Sequence, residues 1–172
     1  LEAALAYEQF AKLHPKNAKV DYAMFRIGES YWQESPEEVD REQDYTKKAV
    51  YEWGKLIEQK PDSKFSKQAA DLVKVGKRRI AESIEFIADF YCKLEIYHAC
   101  AYRFIQLADE FAEYTDLRRK ALTKAADSLD KLADAKEKDP TSDKNLYFAS
   151  LSAQDMRARA ANFRRLLGDL KP

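Results

Sequence analysis

Apolar residues keep the three- and four-residue spacing of helices along most of this chain, and one such spacing occurs three times. A small residue is followed four positions later by an aromatic, three further on by an apolar residue, and five further on by a helix-ending position. Ala3, Tyr7, Phe10 and Pro15 form the first copy, and Ala49, Trp53, Leu56 and Pro61 the second. Cys100, Phe104, Leu107 and Ala112 form the third, with the proline lost. The periodicity predicts helices at roughly 2–13, 20–33, 45–60, 64–93, 96–113, 117–137 and 150–168. Pro15, Pro61 and Pro140 fall at helix ends, where a missing amide proton costs least. Thr46, Ser63 and Asp116 stand where N-cap oxygens are wanted. Short connections make consecutive helices antiparallel neighbours.

The repeated spacing resembles the second helix of a tetratricopeptide repeat, a paired-helix unit of about 34 residues. The first-helix pattern of that repeat is visible at Met24, Ile27, Gly28 and Tyr31, with methionine at the tryptophan position. The expected fold class is all-α: a tetratricopeptide-like helical-hairpin superhelix of about seven antiparallel helices. The expected organisation is a single domain over 1–172, the C-terminal part of a longer array. The chain opens on an unpaired second helix, which predicts that residues of a longer protein precede Leu1. Two features break the ideal repeat. Gln33 to Tyr45 is a polar insertion between paired helices, and Ser63 to Lys93 carries no turn signal. Leu72, Val73, Ile80, Ile84, Ile87 and Tyr91 keep helical spacing there, predicting one helix of about 45 Å. Residues 136–149 are expected to form the longest later loop.

Repeat position also assigns faces. Gly28 is expected to pack against Ala49, and Ala88 against Cys100. The concave face should show Tyr22, Phe25, Glu29 and Trp32, then Glu85, Asp89 and Cys92 at the end of the long helix. Aromatics at helical spacing are commonly core, so Tyr22, Phe25 and Trp32 carry two readings: burial, or anchors for an extended or helical peptide.

Charge and composition narrow the function classes. Lys+Arg and Asp+Glu are 30 each, a balance unlike the basic excess of nucleic-acid binders. Four glycines and five prolines disfavour a turn-rich β fold. No apolar run approaches the roughly 18 residues of a membrane span. The sequence carries no Gly-rich phosphate loop and no nucleophile set beside a base and an orienting acid, so the reading is non-enzymatic, without cofactor. His98 and Cys100 diverge by about 200° on one helix, against a metal site. Cys92 and Cys100 are expected to face different ways and remain free thiols. The basic clusters at 74–79, 118–120 and 157–165 read chiefly as solvated faces. Arg157 and Arg164, seven apart, share a face whose forked guanidiniums suit an acidic partner surface.

A narrower resemblance rests on ordered motifs. The run Pro15-Lys16-Asn17-Ala18-Lys19-Val20-Asp21-Tyr22-Ala23-Met24-Phe25-Arg26-Ile27-Gly28, the Asp40-Arg41 and Asp44 of the insertion, then Ala49, Pro61 and Ser63 follow one family's order. Arg79-Ile80-Ala81, Ile87-Ala88-Asp89-Phe90-Tyr91, and Tyr97, Ala99, Ala101 and Arg103 continue it. Over about residues 3 to 125 the chain resembles the BamD family of outer-membrane protein assembly lipoproteins. Ile84 stands where that family commonly has glutamate, and Phe111-Ala112 where it has tyrosine-proline. The resemblance implies a scaffold at the periplasmic face of the outer membrane, lipid-anchored outside this sequence. Its implied partners are the periplasmic domain of the β-barrel insertase, accessory assembly lipoproteins and unfolded outer-membrane precursors. The alternative is another tetratricopeptide adaptor of the cell envelope with a different peptide client.

Overall fold

The computed structural model describes residues 1–140 and 148–170. They form α1 (Glu2–Leu13), α2 (Val20–Glu34), α3 (Asp44–Gln59), α4 (Ser66–Lys93), α5 (Tyr97–Glu110), α6 (Thr115–Lys138) and α7 (Ala153–Asp169), with no strand among the described residues. The long helix is present as α4, 28 residues without a break. Residues 141–147 of the expected loop lie outside the described residues, and α6 ends before them at Lys138, one residue past its expected end. The chain divides into two compact units, Leu1–Ser83 and Ile84 onward.

In the first unit, α2 packs against both α1 and α3. The second copy of the repeated spacing is its core: Ala49, Trp53 and Leu56 are completely buried. Gly28 faces the Trp53 indole one turn beyond Ala49; a Cβ there would lie 2.5 Å from Nε1. The indole N–H donates to the Phe25 carbonyl at 3.2 Å, so this large ring is both packed and satisfied. Gly76 plays the same part on α4. A Cβ there would collide with Val50 Cγ2 on α3 and touch Trp32 at 3.4 Å. Its helix-propensity cost of about 1 kcal/mol is therefore accepted for close helix approach. The first copy is offset: Ala4 is buried while Ala3 is exposed.

The polar insertion is an ordered loop. The buried Gln43 amide donates to the carbonyls of Glu38 and Arg41 at 2.8 and 3.1 Å, and its oxygen accepts from Thr46 Oγ1 at 2.6 Å. Thr46 thus lies inside α3 and does not cap it. Ser63 accepts from the Phe65 amide just before α4, a local turn bond. The capping box that the structure does contain, Ser152 with Asp155 at the start of α7, was not anticipated from sequence.

In the second unit α6 packs against both α5 and α7. Cys100, Phe104 and Leu107, the third copy, are completely buried. Ala125, Ala126 and Ala133 on α6, with Ala101 and Ala160 opposite, let these helices approach closely. α4 ends in a Schellman motif: the Ile96 amide donates to the Tyr91 carbonyl and the Glu95 amide to Cys92, both at 3.0 Å. Glu95 takes the left-handed position, φ 58°, that glycine normally fills.

That turn overturns the free-thiol expectation. It reverses the chain within a few residues, so the last turn of α4 lies against the first turn of α5. Cys92 and Cys100 come to a Cα separation of 5.1 Å and form a disulfide. Face assignment by ideal repeat position placed them apart because it took no account of so tight a turn.

Candidate partner-binding surfaces

The residues expected on one face of α2 separate. Tyr22 is 40% exposed, its ring edge-on to Tyr7 at 6.1 Å and tilted against Phe65 at 5.7 Å. Phe25 is only 4% exposed, stacked on Phe65 at 5.3 Å. It belongs to the core, because the segment entering α4 brings Phe65 over it. Glu29 is half-buried in an ion pair with Arg26 one turn back. The Arg26 guanidinium lies 5.9 and 6.0 Å from the centres of the Tyr7 and Tyr22 rings. Desolvation alone would lower the Arg26 pKa, yet Glu29 and the two tyrosines hold it above the usual value. Trp32 is half-buried beneath Arg79, whose guanidinium stands 4.1 Å from the ring centre. Arg79 also donates to Ser35 Oγ and the Pro36 carbonyl at 3.2 and 3.0 Å, tying the insertion to α4. Tyr22 is thus the exposed aromatic of this face, with Arg26 and Glu29 beside it.

The second unit carries a feature that the sequence reading missed. Phe86 and Phe90 of α4 and Leu94 just past its end are 48, 53 and 53% exposed, four residues apart on one side. Glu85 and Asp89, expected as an acidic stretch, flank this stripe and hold Lys120 of α6 at 2.6 and 2.7 Å. Desolvation opposes the Lys120 charge, but the bonds to Asp89 and Glu85 outweigh it and raise its pKa.

Arg157 and Arg164 do share a face, and both turn to α6. Arg157 reaches Asp134 and Glu137, each at 2.8 Å; Arg164 reaches Asp130 at 2.7 Å and Asp127 at 3.2 Å. Glu137, then Asp134, push the Arg157 pKa up; for Arg164 the leading cause is Asp130. A partner would have to displace these four carboxylates. His14 is exposed and rests against Phe10, with ring centres 5.3 Å apart. Among the described residues no three His, Cys, Asp or Glu side chains converge as metal ligands, and no helix is long and apolar enough to cross a membrane.

Successive helices packed in pairs, with glycine and alanine at their contacts and aromatics left exposed on helix faces, define a tetratricopeptide-like protein. The family model YfiO, described as outer membrane lipoprotein, matches residues 1–145, and the chain belongs to that family. Membership puts it at the periplasmic face of the outer membrane. The chain is also 26% identical over 124 residues to the outer membrane protein assembly factor BamD of Vibrio cholerae serotype O1. That match covers 67% of this chain and 51% of the relative, so the chain spans about half the length of that curated protein.

Proposed function

We propose that this chain is a non-enzymatic scaffold of the machinery that assembles outer-membrane β-barrels. The observation that carries the reading is the family match over residues 1–145, which spans the first unit and runs well into the second. In this reading residues 1–172 act as one repeat array. The Phe86–Phe90–Leu94 stripe docks the periplasmic domain of the barrel insertase. Tyr22, with the Arg26–Glu29 pair, receives extended segments of unfolded precursors, and accessory lipoproteins bind elsewhere on the array. Exposed aromatics are the side chains that most often dominate such contacts. Arg157 and Arg164 serve the α6–α7 hairpin, since each already has two carboxylate partners.

The test is isothermal titration of the chain with the periplasmic domain of its own organism's barrel insertase. Micromolar or tighter binding is expected, weakened at least about tenfold by Phe86→Asp with Phe90→Asp, the usual scale for losing a buried anchor. Those two side chains are exposed, so the variant keeps its helical circular dichroism. A folded chain that does not bind would overturn the reading in favour of an adaptor with another client.

A further inference from the structure

We propose that the Cys92–Cys100 disulfide is a thiol–disulfide exchange site, opened through Cys92 by a dithiol reductant of the Cys-X-X-Cys class. The two sulfurs are not equivalent. Cys92 sits half-buried on the last turn of α4, on the side that carries Ala88 and about 200° round from the exposed Phe90 and Leu94. Cys100 is completely buried on α5, and its Sγ lies 3.0 Å from Ser128 Oγ of α6. A disulfide sulfur has no hydrogen to give, so the Ser128 hydroxyl is the donor. It is already aimed at the sulfur that would leave.

Exchange proceeds by thiolate attack on one sulfur while the other departs with the electron pair. Attack at Cys100 would need the α5–α6 contact to open; attack at Cys92 does not. The reductant's thiolate forms a bond to Cys92 Sγ as the Cys92–Cys100 bond breaks, and Cys100 leaves as a thiolate. A buried thiolate without a donor is costly, and Ser128 supplies the donor. The reductant's second thiolate then attacks its own sulfur in the mixed disulfide and expels Cys92. The protein gains two electrons and, from the reductant's thiols, two protons; the reductant ends as its disulfide. Reduction removes the only cross-link in a chain with two cysteines. It leaves the α4–α5 turn, strained at Glu95, to hold the end of α4 that displays Phe90 and Leu94.

The experiment uses the native oxidised chain with excess reduced glutathione, quenched in acid and mapped by peptide mass spectrometry. The mixed disulfide should sit on Cys92 at least about tenfold more often than on Cys100, as expected when only one sulfur is accessible. Adducts shared equally, or found mainly on Cys100, would overturn the proposal. So would reduction by dithiothreitol no faster than global unfolding extrapolated from urea. Ser128→Ala separates a leaving-group role from mere packing. Loss of the donor should slow native reduction about tenfold. A packing role would loosen the fold and speed reduction, so an unchanged or faster rate defeats the assignment.

Discussion

Gly76 sets two well-measured effects against each other. It lies within α4, where glycine-to-alanine substitution ordinarily gains about 1 kcal/mol. Here the new Cβ would meet Val50 Cγ2 closer than real Cβ atoms come, with Trp32 at 3.4 Å and Thr46 Cγ2 at 3.7 Å behind it. Val50 is β-branched and helical, so one χ1 rotamer dominates and the methyl has little room to turn away. Overpacking of this kind costs about 1–3 kcal/mol, which outweighs the propensity gain. Gly76→Ala should therefore destabilise the first unit by about 1 kcal/mol. In a Val50→Ala background the colliding methyl is gone, and the same substitution should stabilise, reversing the sign. The chain's two tryptophans, Trp32 and Trp53, both lie in this unit, so their fluorescence through a urea titration reports it selectively. Stabilisation by Gly76→Ala alone, or destabilisation of equal size in both backgrounds, would refute the contact argument.

Glu95→Gly should raise stability by about 0.5–1 kcal/mol, the left-handed penalty less the entropy that glycine adds to the unfolded chain, whereas Glu95→Ala should not. Amide exchange at the end of α4 reads this locally, and equal protection in the two variants would contradict it. The Ser63 hydroxyl donates to Asp21 Oδ2 at 2.7 Å and is the leading cause holding the Asp21 pKa below its usual value. A depressed carboxylate stabilises fully above its unfolded pKa near about 4 and loses that contribution as pH falls through the folded value. Ser63→Ala should thus cost about 1 kcal/mol at neutral pH, with the difference fading as pH falls through the lowered folded value. A gap that stays constant down to acid pH would show that the carboxylate is not the partner that matters.

The helices were legible because their signals are local and periodic. Ala49, Trp53 and Leu56, and Cys100, Phe104 and Leu107, are the core that their spacing predicts, completely buried in both units. Contacts set by the third dimension were not. Phe25 looked like a groove residue until Phe65, forty positions away along the chain, came to lie on it. Trp32 carried both readings, groove and burial, and only the fold shows that Arg79 covers it from α4. The arginines of α7 were placed on one face correctly, yet only the packed hairpin shows that Asp127, Asp130, Asp134 and Glu137 repeat along α6 opposite them.

The exposed stripe was hidden for a different reason, and that reason bears on how the surface works. The second half of α4 is apolar on two sides. Ile80, Ile84 and Ala88 face the core, while Phe86, Phe90 and Leu94 follow their own four-residue spacing outward. A helix with apolar residues around most of its circumference reads from sequence as buried, because burial is the commonest way to satisfy such a pattern. Only the observed exposure separates the stripes. Three large apolar side chains in line, bordered by the Glu85–Asp89–Lys120 cluster, are costly to leave in water and are a surface signature of association. The disulfide fixes the end of the same helix from its other side. Cys92 lies about 200° round the helix from both Phe90 and Leu94, so a partner on this stripe and a reductant at Cys92 approach α4 from opposite sides. Bound insertase domain should therefore leave glutathione attack on Cys92 unchanged, and protection of the disulfide would show instead that the footprint wraps the end of the helix.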